Sequence, residues 1–172
     1  MSVAVGQPAP ELDVARWLNV EAPPSLGRLR GRVVVIEAFQ MLCPGCVLHG
    51  LPQAQRIAAA FAPPQVAVLG LHCVFEHHGV QGSAEALAAF LHEYRIAFPV
   101  AIDRPTGGLP ATMDAYGLHG TPTLLLIDAD GVLRAHHFGS VADLQLGAEI
   151  GALLRRPARR DGVIGAALSA AR

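Results

Sequence analysis

The run Val33-Val34-Val35-Ile36-Glu37-Ala38-Phe39, followed after three residues by Cys43-Pro44-Gly45-Cys46, constrains this chain more than any other stretch. A β-branched, nearly continuous apolar run predicts a strand covered on both faces. Pro44 suits the first turn of a helix, where its missing N–H leaves no bond unmade. Cys43 is then expected at or near the helix N-cap, with Cys46 one turn in. A helix N-terminus offers free N–H groups and the positive end of the dipole, and both favour thiolate over thiol. A reachable thiolate beside a second thiol is a redox device.

The remaining composition narrows the chemistry. A chain of 172 residues suffices for one domain with a substantial core. Three cysteines do not make a disulfide scaffold, and with only Cys73 left over a four-cysteine zinc site cannot form within the chain. His72, His77 and His78 flank Cys73, but adjacent histidines in a loop read as solvated, and no metal is expected. A net charge of −1 argues against nucleic-acid binding. All 13 basic residues are arginine, which excludes lysine Schiff-base chemistry. No run of about 18 apolar residues predicts a membrane span. The first residues lack a basic segment followed by a long apolar one, so no signal peptide is read. A cytoplasmic location is expected, or a periplasmic one if a leader has been removed.

Taken in order, the chain opens on the turn-like Gly6-Gln7-Pro8-Ala9-Pro10. A short strand is expected around 17–19, one turn of helix over 25–31, and the central strand at about 32–39. A helix should run from Cys43 to about Phe61, bent near 48–52 by Gly50 and Pro52. A second strand over 65–71 completes a right-handed βαβ crossover with parallel strands. Ser83 can cap a helix to about Tyr94, and a third strand is expected over 98–102. A short helix over 111–116, a strand over 124–127, a turn at Asp128-Ala129-Asp130-Gly131, a returning strand over 132–138 and a helix over 142–154 close the domain. From Arg155 onward the chain is Arg-rich, then Ala/Gly-rich; residues 1–154 are read as the domain and 155–172 as a tail.

This succession resembles the thioredoxin fold, and most closely its TlpA-like and redoxin (AhpC/TSA-related) branch, over roughly residues 5–154. Four features carry the resemblance: the opening Gly6–Pro10 motif; the lead-in from Leu26 to Ile36; Cys43-Pro44-Gly45-Cys46; and Gly120-Thr121-Pro122-Thr123 followed by an apolar strand and Gly131. It implies a three-layer α/β/α fold on a mixed central sheet, with an N-terminal extension and an inserted helix. Leu42 stands where the family usually has tryptophan, and the segment 72–97 is longer than in thioredoxin itself.

The resemblance also implies roles. Cys43 would attack a substrate disulfide and Cys46 would resolve the mixed disulfide. Glu37, an acid in an apolar strand, would take the proton from Cys46, its pKa raised by burial. Thr121 and a cis Pro122, with Pro44 and Gly45, would border the substrate. Cys73 is either a further redox or regulatory thiol or an inert buried one. His49, three residues past Cys46 and expected on the same helical face, either tunes the thiols or is a surface residue. No cofactor is implied beyond a Cys43–Cys46 disulfide. The partners would be proteins or small molecules carrying disulfides, and a thioredoxin–thioredoxin reductase system. The alternative is a peroxiredoxin-like peroxidase, but Gln40 stands where that chemistry needs Thr or Ser.

Overall fold

The computed structural model describes residues 2–155. The tail expected over 155–172 lies outside the described residues, apart from Arg155. Six strands form one sheet: β1 (Val14–Leu18), β2 (Val33–Phe39), β3 (Val66–His72), β4 (Val100–Asp103), β5 (Thr123–Ile127) and β6 (Leu133–Phe138). Their spatial order is β1-β4-β3-β2-β5-β6. Strands β2, β3 and β4 are parallel neighbours, whereas β1 and β5 run antiparallel to β4 and β2, and β6 antiparallel to β5. The sheet is therefore mixed.

Every residue of β2 is buried, as the apolar run predicted. Its side chains alternate between two cores. Val33, Val35 and Phe39 face α1 (Leu51–Ala60), α3 (Ala84–Glu93) and α5 (Asp143–Leu154) through Leu51, Leu87, Leu91 and Ile150. Val34, Ile36 and Ala38 face the opposite layer, built on α4 (Ala111–Ala115) and the N-terminal segment, through Met113, Tyr116 and Leu133. These are the three layers expected of a thioredoxin-like fold. The two helical segments between β3 and β4 are α2 (His78–Gln81) and α3. Ser83 caps α3, its hydroxyl accepting from the Ala86 N–H at 3.0 Å.

Residues 26–31 form turns rather than the expected turn of helix, and other differences from the sequence reading have local causes. The first strand is Val14–Leu18, because Asn19 takes a left-handed backbone (φ 58°) and its amide donates to the Ile96 carbonyl at 2.7 Å. β4 starts at Val100 rather than Phe98, since Pro99 has no N–H to give the ladder. The single bent helix expected from Cys43 is helical from Pro44, but Cys46–Gly50 form a widened π-turn before α1. The Leu51 N–H bonds to the Cys46 carbonyl, an i→i+5 bond. Pro52, at the start of α1, cannot donate to Leu48, and in α geometry its ring would crowd that carbonyl; the widened turn avoids both conflicts.

The π-turn also orients the helix. An α-helix would turn residues five apart by about 140° from one another. The i→i+5 turn brings Gly45 and Gly50 to the same side, and both face the Pro122 ring. Gly50 lies so close to β2 that a Cβ there would stand 2.1 Å from Glu37 Oε1 and 3.0 Å from Pro122 Cβ. Gly50→Ala is therefore expected to destabilise the fold by about 1–3 kcal/mol, the range for overpacking. Urea unfolding checks this, and an alanine variant as stable as the parent would contradict the close approach.

Candidate active site

The site is assembled from two distant parts of the chain. The first is the turn from the end of β2 into the helix. The Cys43 N–H bonds back to the Gln40 carbonyl at 3.2 Å, and the Cys43 carbonyl accepts the first helical bond from Val47 at 3.1 Å, which makes Cys43 the helix cap. Cys43 is half-buried and Cys46 fully buried; both are free thiols lying near disulfide distance. The Cys46 N–H donates to Cys43 Sγ at 3.3 Å, so the helix N-terminus presents a donor to the outer sulfur.

The second part is the loop before β5. The Thr121–Pro122 bond is cis. The Cys43 thiol donates to the Thr121 carbonyl at 3.5 Å. A Cβ on Gly45 would meet Pro122 Cδ at 3.2 Å and Cys43 Sγ at 4.0 Å. Pro122 thus lies against the helix between the sulfur end at Gly45 and the carboxyl end at Gly50. Pro44, the residue before Gly45, is exposed.

Glu37 sits in β2 on the face shared with Val35, Phe39 and the CxxC helix, and is 1% exposed. Its Oε1 has no hydrogen-bond partner among the described residues. Burial, and then the negative charge of a Cys43 thiolate, push its carboxyl well above the ordinary range. A cavity of about 190 Å³ reaches it, lined also by His49, Gln53, Ser140 and Asp143. On the cavity wall Gln53 donates to the Val141 carbonyl (2.8 Å) and to Asp143 (2.7 Å), and Arg56 pairs with Asp143 at 2.9 Å. The volume is ample for water, which needs only about 15 Å³ of such space. Burial, reinforced by the hydrogen bond with Cys43, pushes the Cys46 thiol up to about 12. Cys46 is therefore held protonated, and the acid on the same face of β2 also has its affinity for protons raised.

The two remaining candidates make no hydrogen bond to either sulfur among the described residues. His49 was expected on the face of Cys46; the π-turn leaves Cys46 buried and His49 exposed on the cavity wall. Cys73 is fully buried in the core on the opposite face of the sheet, its thiol 3.7 Å from Asp103 Oδ2. Burial and the Asp103 charge push that thiol well up.

Sequence reasoning missed the residues that hold the turn before Cys43. His72, Gln40 and Gln81 are each 1% exposed and grouped around residues 40–42. In the sequence Gln40 stands out only as a departure from peroxidase chemistry, and no local signal connects it with Gln81.

Residues 5–136 match the AhpC/TSA family. A thiol-disulfide isomerase from Corynebacterium glutamicum is 51% identical, with a TM-score of 0.83 over 87% of this chain and 97% of that one. Protein DipZ of Mycobacterium tuberculosis is 32% identical over 135 residues, which are 76% of this chain and 18% of DipZ. The thiol-disulfide oxidoreductase ResA of Halalkalibacterium halodurans is 26% identical over 118 residues, 69% of this chain and 60% of ResA. The chain thus spans under two thirds of the length of these two relatives. Among the described residues no helix is long and apolar enough to cross a membrane. With this sheet, this cysteine pair and these matches, the chain belongs to the AhpC/TSA family as a thioredoxin-like homologue of thiol–disulfide oxidoreductases.

Proposed function

We propose that the chain exchanges its Cys43–Cys46 dithiol with disulfides of proteins or small molecules. The observation that carries this reading is a half-exposed thiol against a cis-proline loop, backed by a fully buried thiol one turn away. In the reducing direction the Cys43 thiolate attacks one substrate sulfur, forming a mixed disulfide and releasing the other sulfur as a thiolate. Glu37, once it has lost its own proton through the cavity, takes the proton of Cys46, and the Cys46 thiolate attacks Cys43 Sγ and releases the second substrate sulfur. The substrate leaves with two thiols, and the protein keeps the two lost electrons' worth of oxidation as a Cys43–Cys46 disulfide. Thr121 borders the bound substrate with its backbone, and Pro122, Pro44 and Gly45 shape the surface around the sulfur. The cavity at Glu37 lets the proton exchange with solvent. A thioredoxin–thioredoxin reductase system, in a cytoplasmic setting, is the proposed electron source.

Membership of the AhpC/TSA family favours one second reading, reduction of hydroperoxides. Against it stands Gln40, whose side chain is bound to Gln81 and Glu76 rather than poised as a hydroxyl beside Cys43. Thioredoxin-coupled turnover of peroxide without reduction of insulin would decide for the peroxidase.

The division of roles is tested by Cys46→Ser, which should accumulate a mixed disulfide on Cys43 with substrate. Its converse, Cys43→Ser, should accumulate none; equal trapping by both on non-reducing gels would sink the assignment.

Glu37 makes a two-part prediction. Glu37→Gln should slow resolution of the mixed disulfide by about 10²-fold, the lower end for loss of a general base. Stability changes in the opposite sense. Above the ordinary carboxyl value of 4.5 the unfolded chain releases this proton while the folded chain keeps it. Native stability therefore falls as pH rises from 4.5 through the raised folded value. Glu37→Gln lacks that loss, so its stability advantage should be small below pH 4.5 and grow above it. Urea titrations across pH that show a constant difference would contradict a buried, raised carboxyl.

A further inference from the structure

The turn that delivers Cys43 is fastened from outside. It has three N–H groups in sequence, and each is taken. The Met41 N–H donates to His72 Nε2 at 3.4 Å, the Leu42 N–H to Gln81 Oε1 at 3.3 Å, and the Cys43 N–H to the Gln40 carbonyl at 3.2 Å. Gln81 comes from α2, in the segment between β3 and α3. Its amide nitrogen donates to Gln40 Oε1 at 2.7 Å and to the Glu76 carbonyl at 2.9 Å. Gln40 in turn donates to Glu76 Oε1 at 3.2 Å. One side chain therefore grips the turn twice, at the backbone of Leu42 and at the side chain of Gln40, while a backbone carbonyl of its own segment holds it in place.

Burial makes this grip consequential. Gln40, Gln81 and His72 are each 1% exposed, so water does not readily replace a lost partner. The Leu42 side chain, by contrast, is 51% exposed and contributes little anchorage of its own. His72 is buried, which holds its pKa down to about 4 and keeps the ring neutral and able to accept from Met41 at neutral pH. Phe39 lies against that ring at 5.2 Å. The position of Cys43 Sγ relative to the Thr121 carbonyl and the Cys46 N–H depends on where this turn sits.

We propose that Gln81 is a positioning residue for Cys43, through which the α2 segment sets the aim of the attacking sulfur. The inference rests on the reading of Cys43 as the nucleophile. Gln81 touches neither sulfur nor substrate; it acts through Leu42 and Gln40.

Three proteins test it: the parent, Gln81→Leu, and Gln40→Leu/Gln81→Leu. The readouts are the urea midpoint, the rate of Cys43 alkylation by iodoacetamide, and the rate of insulin disulfide reduction. Gln81→Leu leaves buried partners unpaired and should lower both the midpoint and the two rates. In the double variant the Gln40–Gln81 amide pair is removed from both sides, so the midpoint should rise above that of Gln81→Leu while the Leu42 N–H stays unpaired. The rates should stay down by about tenfold, because the Leu42 N–H still has no side chain to aim it. A folded double variant with the parent's rates, whatever its midpoint, would overturn the proposal, since the aim of Cys43 would then not depend on the amides. Should Gln81→Leu fail to fold, Gln81→Met keeps the side-chain length, and parent rates in that folded variant would overturn the proposal equally. If the parent itself shows no Cys43-dependent reduction of insulin, it is the underlying reading of function that fails.

Discussion

A carboxyl group buried in the middle of the sheet governs the geometry around it. Glu37 lies in the central strand, covered on both faces, where an ionised group is expensive to desolvate. Its oxygen occupies the space that a side chain at position 50 would need. The helix can approach only because residue 50 is glycine, and it presents both Gly45 and Gly50 to Pro122 only because the turn between them is widened. The proline ring and the acid thus both pack against the helix at Gly50.

The same arrangement gives the two sulfurs different environments. Cys43 is partly open to solvent, meets a backbone N–H from the helix and lies beside the Thr121 carbonyl. Cys46 is enclosed, and burial keeps its proton on. An enclosed thiol is a poor nucleophile until it is deprotonated. In the proposed chemistry the enclosed acid supplies that step, and the cavity beside it gives the proton a route out of the core. Cys73, by contrast, is tied to the layer on the other side of the sheet, through Asp103, which also caps α4 by accepting from the Thr112 and Met113 N–H groups at 2.8 Å.

Much of this was legible in the sequence because it is written in local chemistry. The run from Val33 to Phe39, Pro44 after Cys43, Ser83 before an apolar helical face and the Asp128–Gly131 turn each specify their structure within a few residues. Glu37 stood out for the same reason, as an acid with no local justification among apolar neighbours. What escaped was set by contacts across the chain. Gly50 and Pro52 signalled an irregular helix but not its form, and the π-turn rather than a bend moved His49 away from the face of Cys46. The four-residue α2 is too short to show a periodicity. Gln81 meets Gln40 across 41 positions, a pairing no local pattern encodes.

The central claim is that Cys43 and Cys46 form one reversible two-electron couple that excludes Cys73. A redox titration with dithiothreitol buffers, quenched by alkylation and read by mass mapping, addresses it most directly. The account predicts a single transition with a slope of about 30 mV per tenfold change in ratio, both Cys43 and Cys46 protected in the oxidised form, and Cys73 a thiol throughout. A disulfide that includes Cys73, or a Cys43–Cys46 pair that does not cycle between its two states, would contradict it.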